Sequence, residues 1–296
     1  MLEFNPVTLQ DRPWIHDILF RAGRQGCEFS FVNLYFWMRN SGGVCRFEDF
    51  LLKESIYDGK RGYLFPAGEG EVCRAVSALK EHSEAHGAPL MLWGVTDRDR
   101  LFLEHCFPEK FRFEVYRNGF DYLYPIEKLT TLSGKKLQSK RNHINRFLDE
   151  HPGWHTVPMT AQNAADCQIL MDAWYEKHDS GKGLETEKAA LHTAMSNFDA
   201  LEMDGLFLYD GDTLLAFTMG NRLNETTFDV NFEKADADVQ GAYPLINREF
   251  ARLIADRYPN ITTLNREDDM GIEGLRKAKE SYHPDLLVKY RAYWEG

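Results

Sequence analysis

Short apolar runs alternate with amphipathic stretches over most of the chain, and the two periods predict strands and helices in turn. Pro13 to Ala22 has a helical pattern, and a second apolar segment runs from Phe29 to Trp37. Gly42-Gly43 marks a turn. Val44 to Ile56 alternates as a strand, with Arg61-Gly62-Tyr63-Leu64-Phe65 as its hairpin partner. After Pro66-Ala67-Gly68, Val72, Val76 and Leu79 recur at helical spacing, and Gly87 closes that helix. Pro89 to Val95 is a continuous apolar run between breakers, the pattern of a buried strand. A short helix with Leu101, Leu103 and Phe107 follows, then a long aromatic-rich strand from Phe111 to Tyr124.

The second half repeats this order. Gly205 to Tyr209 and Thr213 to Met219 flank Asp210-Gly211, a hairpin signal. Thr226 to Phe232 reads as a third strand, Pro244 to Tyr258 as a helix and Ile261 to Leu264 as a short strand. Gly271 to Ser281 reads as a helix and Leu286 to Trp294 as the last strand. Both halves thus close on helix, strand, helix, strand. The expected fold class is α/β (α+β), with two lobes, 1–125 and 126–296, each a mixed central sheet flanked by helices. Leu123 to Leu132 would carry the chain between them. In the second half a meander followed by βαβ matches the plan of the acyl-CoA N-acyltransferases (GNAT), and the second lobe is expected to carry the active site.

Composition narrows the classes. The 296 residues are 43% hydrophobic, 27% charged and 13% aromatic, a globular composition. The net charge of −11 excludes a protein that binds nucleic acid over its whole surface, so any polyanion site is a local patch. Cys27, Cys45, Cys73, Cys106 and Cys167 are scattered, odd in number and without a CxxC pair. They read as buried free thiols in a reducing cytoplasm, not as a zinc site or disulfide framework. Met1 to Pro6 lacks the basic-then-apolar pattern of a secretory signal, and no run nears the ~18 apolar residues of a membrane helix. The expected location is cytoplasmic, without a transmembrane segment. No HExxH or GxSxG occurs, so neither a metal nor a serine nucleophile is expected.

Four segments carry candidate chemistry. From Ser133, a plausible N-cap, to Leu148 there are five Lys/Arg residues and no carboxylate. Lys136, Lys140 and Arg141, with Asn142, either steer a phosphate-rich ligand such as a tRNA end or a CoA phosphate, or form a solvated helix face. Asn265 and the consecutive carboxylates Glu267, Asp268 and Asp269 follow a predicted buried strand, where open α/β sheets bind ligands. The carboxylates either cap the next helix or act as base and ammonium-binding groups. Arg276 and Lys279, one turn apart, suit an anionic ligand, and Tyr282 is either a proton donor or a packing residue. On the Thr226 strand, Asp229, Asn231 and Glu233 share one side and suit a substrate cleft or an edge strand. Gln240-Gly241-Ala242 retains part of an acyltransferase pyrophosphate loop, or is a plain β–α turn. The Gly-rich stretch His178 to Glu185 is either a substrate-covering loop or a linker, without nucleotide-loop spacing.

The segments Gly134 to Asn142, Glu233 to Asp236, Gly241 to Tyr243, Asn265 to Gly271 and Gly274 to Lys279 resemble an uncharacterised bacterial family. That family is related to the C-terminal catalytic domain of phosphatidylglycerol lysyltransferase. The resemblance covers most of the chain and is strongest from Leu132 onward. It implies a tandem GNAT fold, similar also to Fem peptidyltransferases, and transfer of an aminoacyl group from charged tRNA to an amine or hydroxyl acceptor, a small molecule or peptide. Aminoacyl-tRNA or a CoA thioester would be the donor, and no other cofactor is implied. Unlike the lysyltransferase, the chain is expected to carry no membrane portion. The rival readings are a CoA-dependent N-acyltransferase and a non-catalytic binding or regulatory protein on a degenerate GNAT scaffold.

Overall fold

The computed structural model describes residues 2–38, 40–57, 59–177 and 182–296. The chain divides into two compact units, Met1–Tyr122 with Glu267–Gly296, and Leu123–Arg266. The second lobe expected to reach residue 296 therefore ends earlier, and the last segment belongs to the first unit.

The first unit begins with α1 (Arg12–Ala22) and α2 (Phe31–Trp37). Pro13 sits in the opening turn of α1, where its missing N–H costs nothing, and Gly23 ends the helix in the left-handed region at φ 63°. Ser30 caps α2 by accepting from Val32 N at 3.1 Å. Next come β1 (Val44–Phe47), β2 (Phe50–Tyr57), β3 (Lys60–Leu64), β4 (Ala67–Gly68), α3 (Val72–Ala85), β5 (Met91–Val95), α4 (Asp97–Cys106) and β6 (Phe111–Val115). The strand expected over Val44 to Ile56 is a hairpin, because the chain turns at Glu48, at φ 54°. The strand expected from Phe111 to Tyr124 is broken by a 3-10 turn at Arg117–Gly119.

After that turn, β7 (Asp121–Pro125) and α5 (Ile126–Thr131) lead into the second unit, so Leu123 to Leu132 is regular structure and not a linker. Ser133 is not the helix cap. Leu132 turns left-handed at φ 50°, a 3-10 turn covers Lys135–Leu137, and α6 (Gln138–Glu150) starts beyond it. The unit continues through β8 (Trp154–Pro158), α7 (Cys167–Lys177), α8 (Lys182–Ser196), β9 (Asp204–Asp210), β10 (Thr213–Arg222), β11 (Thr227–Ala235), α9 (Ala242–Arg257) and β12 (Thr263–Asn265). Residues 178–181 of the Gly-rich stretch lie outside the described residues. The chain ends with α10 (Glu273–Glu280), β13 (Asp285–Leu287) and β14 (Tyr290–Trp294) in the first unit.

Each unit is a mixed sheet flanked by helices, the expected α/β class. In the first, the order is β1-β2-β3-β5-β14-β6, with β3 and β5 parallel. β14 lies between β5 and β6 and pairs antiparallel with both. Its Ala292 joins a core of Phe50, Leu52, Tyr63, Val76, Leu79 and Leu92, while Trp294 meets Phe107 and Phe111 edge-on at 5.4 and 5.1 Å. In the second unit the order is β7-β12-β11-β10-β9-β8. The Asp210-Gly211 hairpin forms as read, and the parallel pair β11–β12 follows the meander, as in the GNAT plan. The helix α9 buries Leu245, Ile246, Phe250 and Ile254, each contributing roughly 1.5–3 kcal/mol.

Candidate functional site

The strand β11 sets up the polar interior of the second unit. It pairs with β12 over Thr227–Asp229 and Thr263–Asn265, and then runs on beyond the end of β12. On its other side the register with β10 shifts, leaving Asn231 as the extra residue of a bulge. A bulge re-aims side chains, and the simple alternation expected for Asp229, Asn231 and Glu233 is broken there. Asn221, Asp229 and Asn265 form a row across three adjacent strands, all buried. Asn231 Nδ2 donates to Asp229 Oδ2 at 3.2 Å.

Glu233 is held from both sides. Arg266 Nη2 donates to Oε1 at 2.6 Å, and Asn247 Nδ2, from α9, donates to Oε2 at 3.0 Å. Arg266 also lies over the buried Tyr124 ring, 5.6 Å from its centroid. Lys140 of α6 faces the same pair. Burial and the Arg266 guanidinium push its ammonium below the ordinary range, and Glu233 pulls it part of the way back. Asn247 is buried, and its Oδ1 has no hydrogen-bond partner among the described residues. The cluster offers an oriented carboxylate, two cations and a bare carbonyl acceptor. It can hold an ammonium, take a proton from one, or steady an oxygen that gains charge. Sequence reading named Lys140, Asp229, Asn231, Glu233 and Asn265 but missed Arg266 and Asn247. Arg266 stood inside the recognised Asn265–Gly271 motif. Asn247 is a polar residue on the apolar face of α9, a visible signal.

Other basic-segment residues do different work. Arg141 Nη1 donates to the carbonyls of Leu132 and of Gly134, the latter at 2.8 Å, so it fastens the loop before α6 and does not reach for a ligand. Lys136 and Asn142 are exposed.

The start of α9 is a helix crossing. Gly241 has φ 97°, and a Cβ there would stand 2.5 Å from the His143 carbonyl oxygen and 2.8 Å from Phe147 Cβ, both on α6. Gln240 Nε2 lies 3.1 Å from His143 Nδ1. Ala242 is buried and its N–H bonds Val239 O at 3.3 Å, while Pro244 has no N–H to offer. Gly241 is thus the point where α6 packs on α9, and of the Gln240-Gly241-Ala242 loop the N–H of Ala242 is already taken.

In the first unit the three consecutive carboxylates part company. Glu267, left-handed at φ 54°, accepts from Asn33 Nδ2 at 2.9 Å. Asp268 accepts from Met270 N at 3.1 Å, and its backbone carbonyl receives Lys279 Nζ. Burial, then the neighbouring Asp121, raise the Asp268 carboxyl above its ordinary range. Asp269 is fully buried and takes Arg276 Nε at 2.8 Å, Arg276 Nη2 at 2.9 Å, Arg117 Nη1 at 3.0 Å, Tyr122 Oη at 2.5 Å and Gly271 N at 2.8 Å. Burial favours its protonation, but Arg276, Tyr122 and the Gly271 N–H outweigh burial and hold it well below the carboxylate range. Asp269 and Arg276 therefore anchor α10 to the preceding turn, and neither is left over for base chemistry or an anionic ligand. Lys279 and Tyr282 are both buried at the end of α10. Arg117 and Tyr122 were concealed in what read as one long strand.

Cys27, Glu28 and Asp121 lie close enough together to suggest a metal shell. Lys289 fills the cation position. Its Nζ donates to Glu28 Oε2 at 2.5 Å and to Asp121 Oδ1 at 2.7 Å, with Cys27 Sγ at 4.0 Å. Burial opposes the charge of Lys289, but Asp121 and Glu28 overcome it and raise the ammonium above its ordinary range.

Comparison with known proteins agrees with this architecture. A conserved protein of unknown function from Bacteroides thetaiotaomicron is 37% identical, with full coverage of both chains and a TM-score of 0.93. The structure of L-PGS from Bacillus licheniformis shares the fold at 14% identity, over 99% of this chain and 93% of that one, with a TM-score of 0.66. An uncharacterised protein of Mycoplasmoides gallisepticum is 23% identical over 59% of this chain, which spans 56% of the length of that curated relative. The family model for the C-terminal part of phosphatidylglycerol lysyltransferase matches residues 20–293. The chain belongs to the family of phosphatidylglycerol lysyltransferase C-terminal domains.

Proposed function

We propose that this chain is an acyltransferase, and that it passes an aminoacyl group from a charged tRNA to an amine or hydroxyl acceptor at the polar cluster of the second unit. Membership of a lysyltransferase family supports the reaction type. The observation that carries the site is the two-sided grip on Glu233 by Arg266 and Asn247, with Lys140 against the same pair. In this reading Glu233 receives the ammonium or removes a proton from the attacking group, and Arg266 and Lys140 balance charge on the carbonyl oxygen of the ester. The crowded start of α9 favours a tRNA ester over a CoA thioester as donor. Exposed Lys136 would meet the tRNA backbone, an interaction that weakens steeply with salt. Among the described residues no helix is long and apolar enough to cross a membrane. A soluble acceptor presented in the cytoplasm completes the proposal.

The test is transfer of radiolabel from aminoacyl-tRNA to a panel of amines, peptides and phosphatidylglycerol vesicles, with wild type and Glu233→Gln. Transfer by wild type that falls at least about 100-fold in the variant, at unchanged thermal stability, supports the reading. Equal transfer by both proteins removes Glu233 from the chemistry. No transfer from any charged tRNA, alongside transfer from acetyl-CoA, overturns the choice of donor.

A further inference from the structure

The five cysteines read as free thiols in the sequence, but the structure joins two of them. Cys73 and Cys106 form a disulfide with Cα atoms 5.5 Å apart, and Cys27, Cys45 and Cys167 are free. Cys73 is the second residue of α3 and Cys106 the last residue of α4, 33 positions on.

The two helices are held to the first unit very differently. On α3, Ala75, Val76, Leu79, His82 and Ser83 are buried, which locks one whole face. On α4 the buried positions are Asp99 and Leu103, while Leu101 is 74% and Phe102 41% exposed. The front of α4 is secured apart from the disulfide. Thr96 and Asp99 form a capping box, and Asp99 takes a two-pronged bond from Arg24 at 2.8 and 2.9 Å. The back half has Leu103 and the bond at Cys106, and just past its end Phe107 packs on Phe111 and Trp294. Neither cysteine is sealed in the core: both are half-buried.

We propose that Cys73–Cys106 is a reversible redox clasp that docks the C-terminal half of α4 when oxidised and releases it when reduced. The reductant is a cellular thiol of the glutathione class. Its thiolate attacks one sulfur, the Cys73–Cys106 bond breaks, and a mixed disulfide forms on one cysteine. A second thiol then displaces that cysteine as a thiolate, which takes up a proton. The net change is one protein disulfide and two thiols giving two protein thiols and one external disulfide, a two-electron reduction of the protein.

Three measurements on the whole chain test this. First, protein equilibrated with oxidised glutathione is denatured and alkylated, and its mass is read with and without prior reduction. Three adducts before reduction and five after are expected, since three cysteines are free and the chain contains five. Five adducts before reduction overturn the clasp. Second, hydrogen exchange is compared in the oxidised and reduced states. Reduction should speed exchange over residues 101–106 and leave α3 unchanged, because α3 is held by its own buried face. The melting temperature should fall by about 10 °C, as expected for opening a loop of this length. The Cys73→Ser/Cys106→Ser variant should match the reduced wild type and ignore reductant. Identical α4 exchange in both states, or a double variant that still responds to reductant, refutes the proposal.

Discussion

Replacing Lys289 by Met removes the ammonium that bonds the buried carboxylates of Glu28 and Asp121, which are 4% and 0% exposed. At an effective dielectric constant near 20, each contact is worth roughly 6 kcal/mol of gross attraction, and desolvation offsets most of it. The measurable quantity is the cost of deleting one partner, because two carboxylates are then left without their cation. That cost is about 3–5 kcal/mol, or roughly 10 °C in melting temperature for a unit of this size. The pH dependence has a definite sign. Burial already raises the Glu28 carboxyl above its ordinary range, and loss of Lys289 raises it further. A carboxyl with a raised folded-state value binds its proton more tightly folded than unfolded, so acid stabilises the variant relative to wild type. The gap between the proteins should be largest above about pH 7 and shrink below about pH 5. Removing both charges with the cation, as Glu28→Gln/Asp121→Asn/Lys289→Met, should restore much of the loss. Thermal unfolding of the three proteins at pH 5 and pH 8 decides the matter. A Lys289→Met protein that melts with wild type at pH 8, or a gap that widens in acid, would refute the argument.

Gly241→Ala should destabilise the second unit by about 2–4 kcal/mol in urea unfolding, since the new Cβ meets the His143 carbonyl and the φ of 97° disfavours any side chain. An unchanged midpoint would show that α6 does not press on α9 there. Asp269→Asn should cost about 3–5 kcal/mol at pH 7, because Arg117 and Arg276 lose their buried counter-charge. The folded-state value of Asp269 lies below its unfolded one, so its contribution is complete above about pH 4 and lost as pH falls further. Wild type and variant should therefore converge only in strong acid, as read by circular dichroism melts.

Local signals were legible and long-range ones were not. Asp210-Gly211 announced its hairpin because a two-residue turn is specified by its own residues. Glu233 and Lys140 could be picked out as polar groups in structured segments. Nothing local tells that Asp269 will be saturated by Arg117 and Tyr122, residues 152 and 147 positions away, so a saturated anchor and an available base look alike in sequence. Gly241 was ambiguous for a similar reason. A glycine before a helix serves a phosphate or a crossing helix equally well, and only the position of α6 separates the two. Lys289 left a faint trace, as a lysine next to the apolar run Leu286-Leu287-Val288 just before the final strand.

The position of β14 fixes an order of events during synthesis. Residues 123–266 form the second unit without interruption, so that unit can close as soon as it leaves the ribosome. The first unit, although its chain is made earlier, must wait. Until Tyr290–Trp294 emerges, β5 has an open edge and β6 lacks the strand it pairs with, and the aromatic faces of Phe107 and Phe111 lack Trp294. Open edges beside exposed aromatics are where nascent chains pair wrongly. The unit begun first is thus completed after the second, and a chain cut just before Tyr290 would carry a complete second unit and a gap in the sheet of the first.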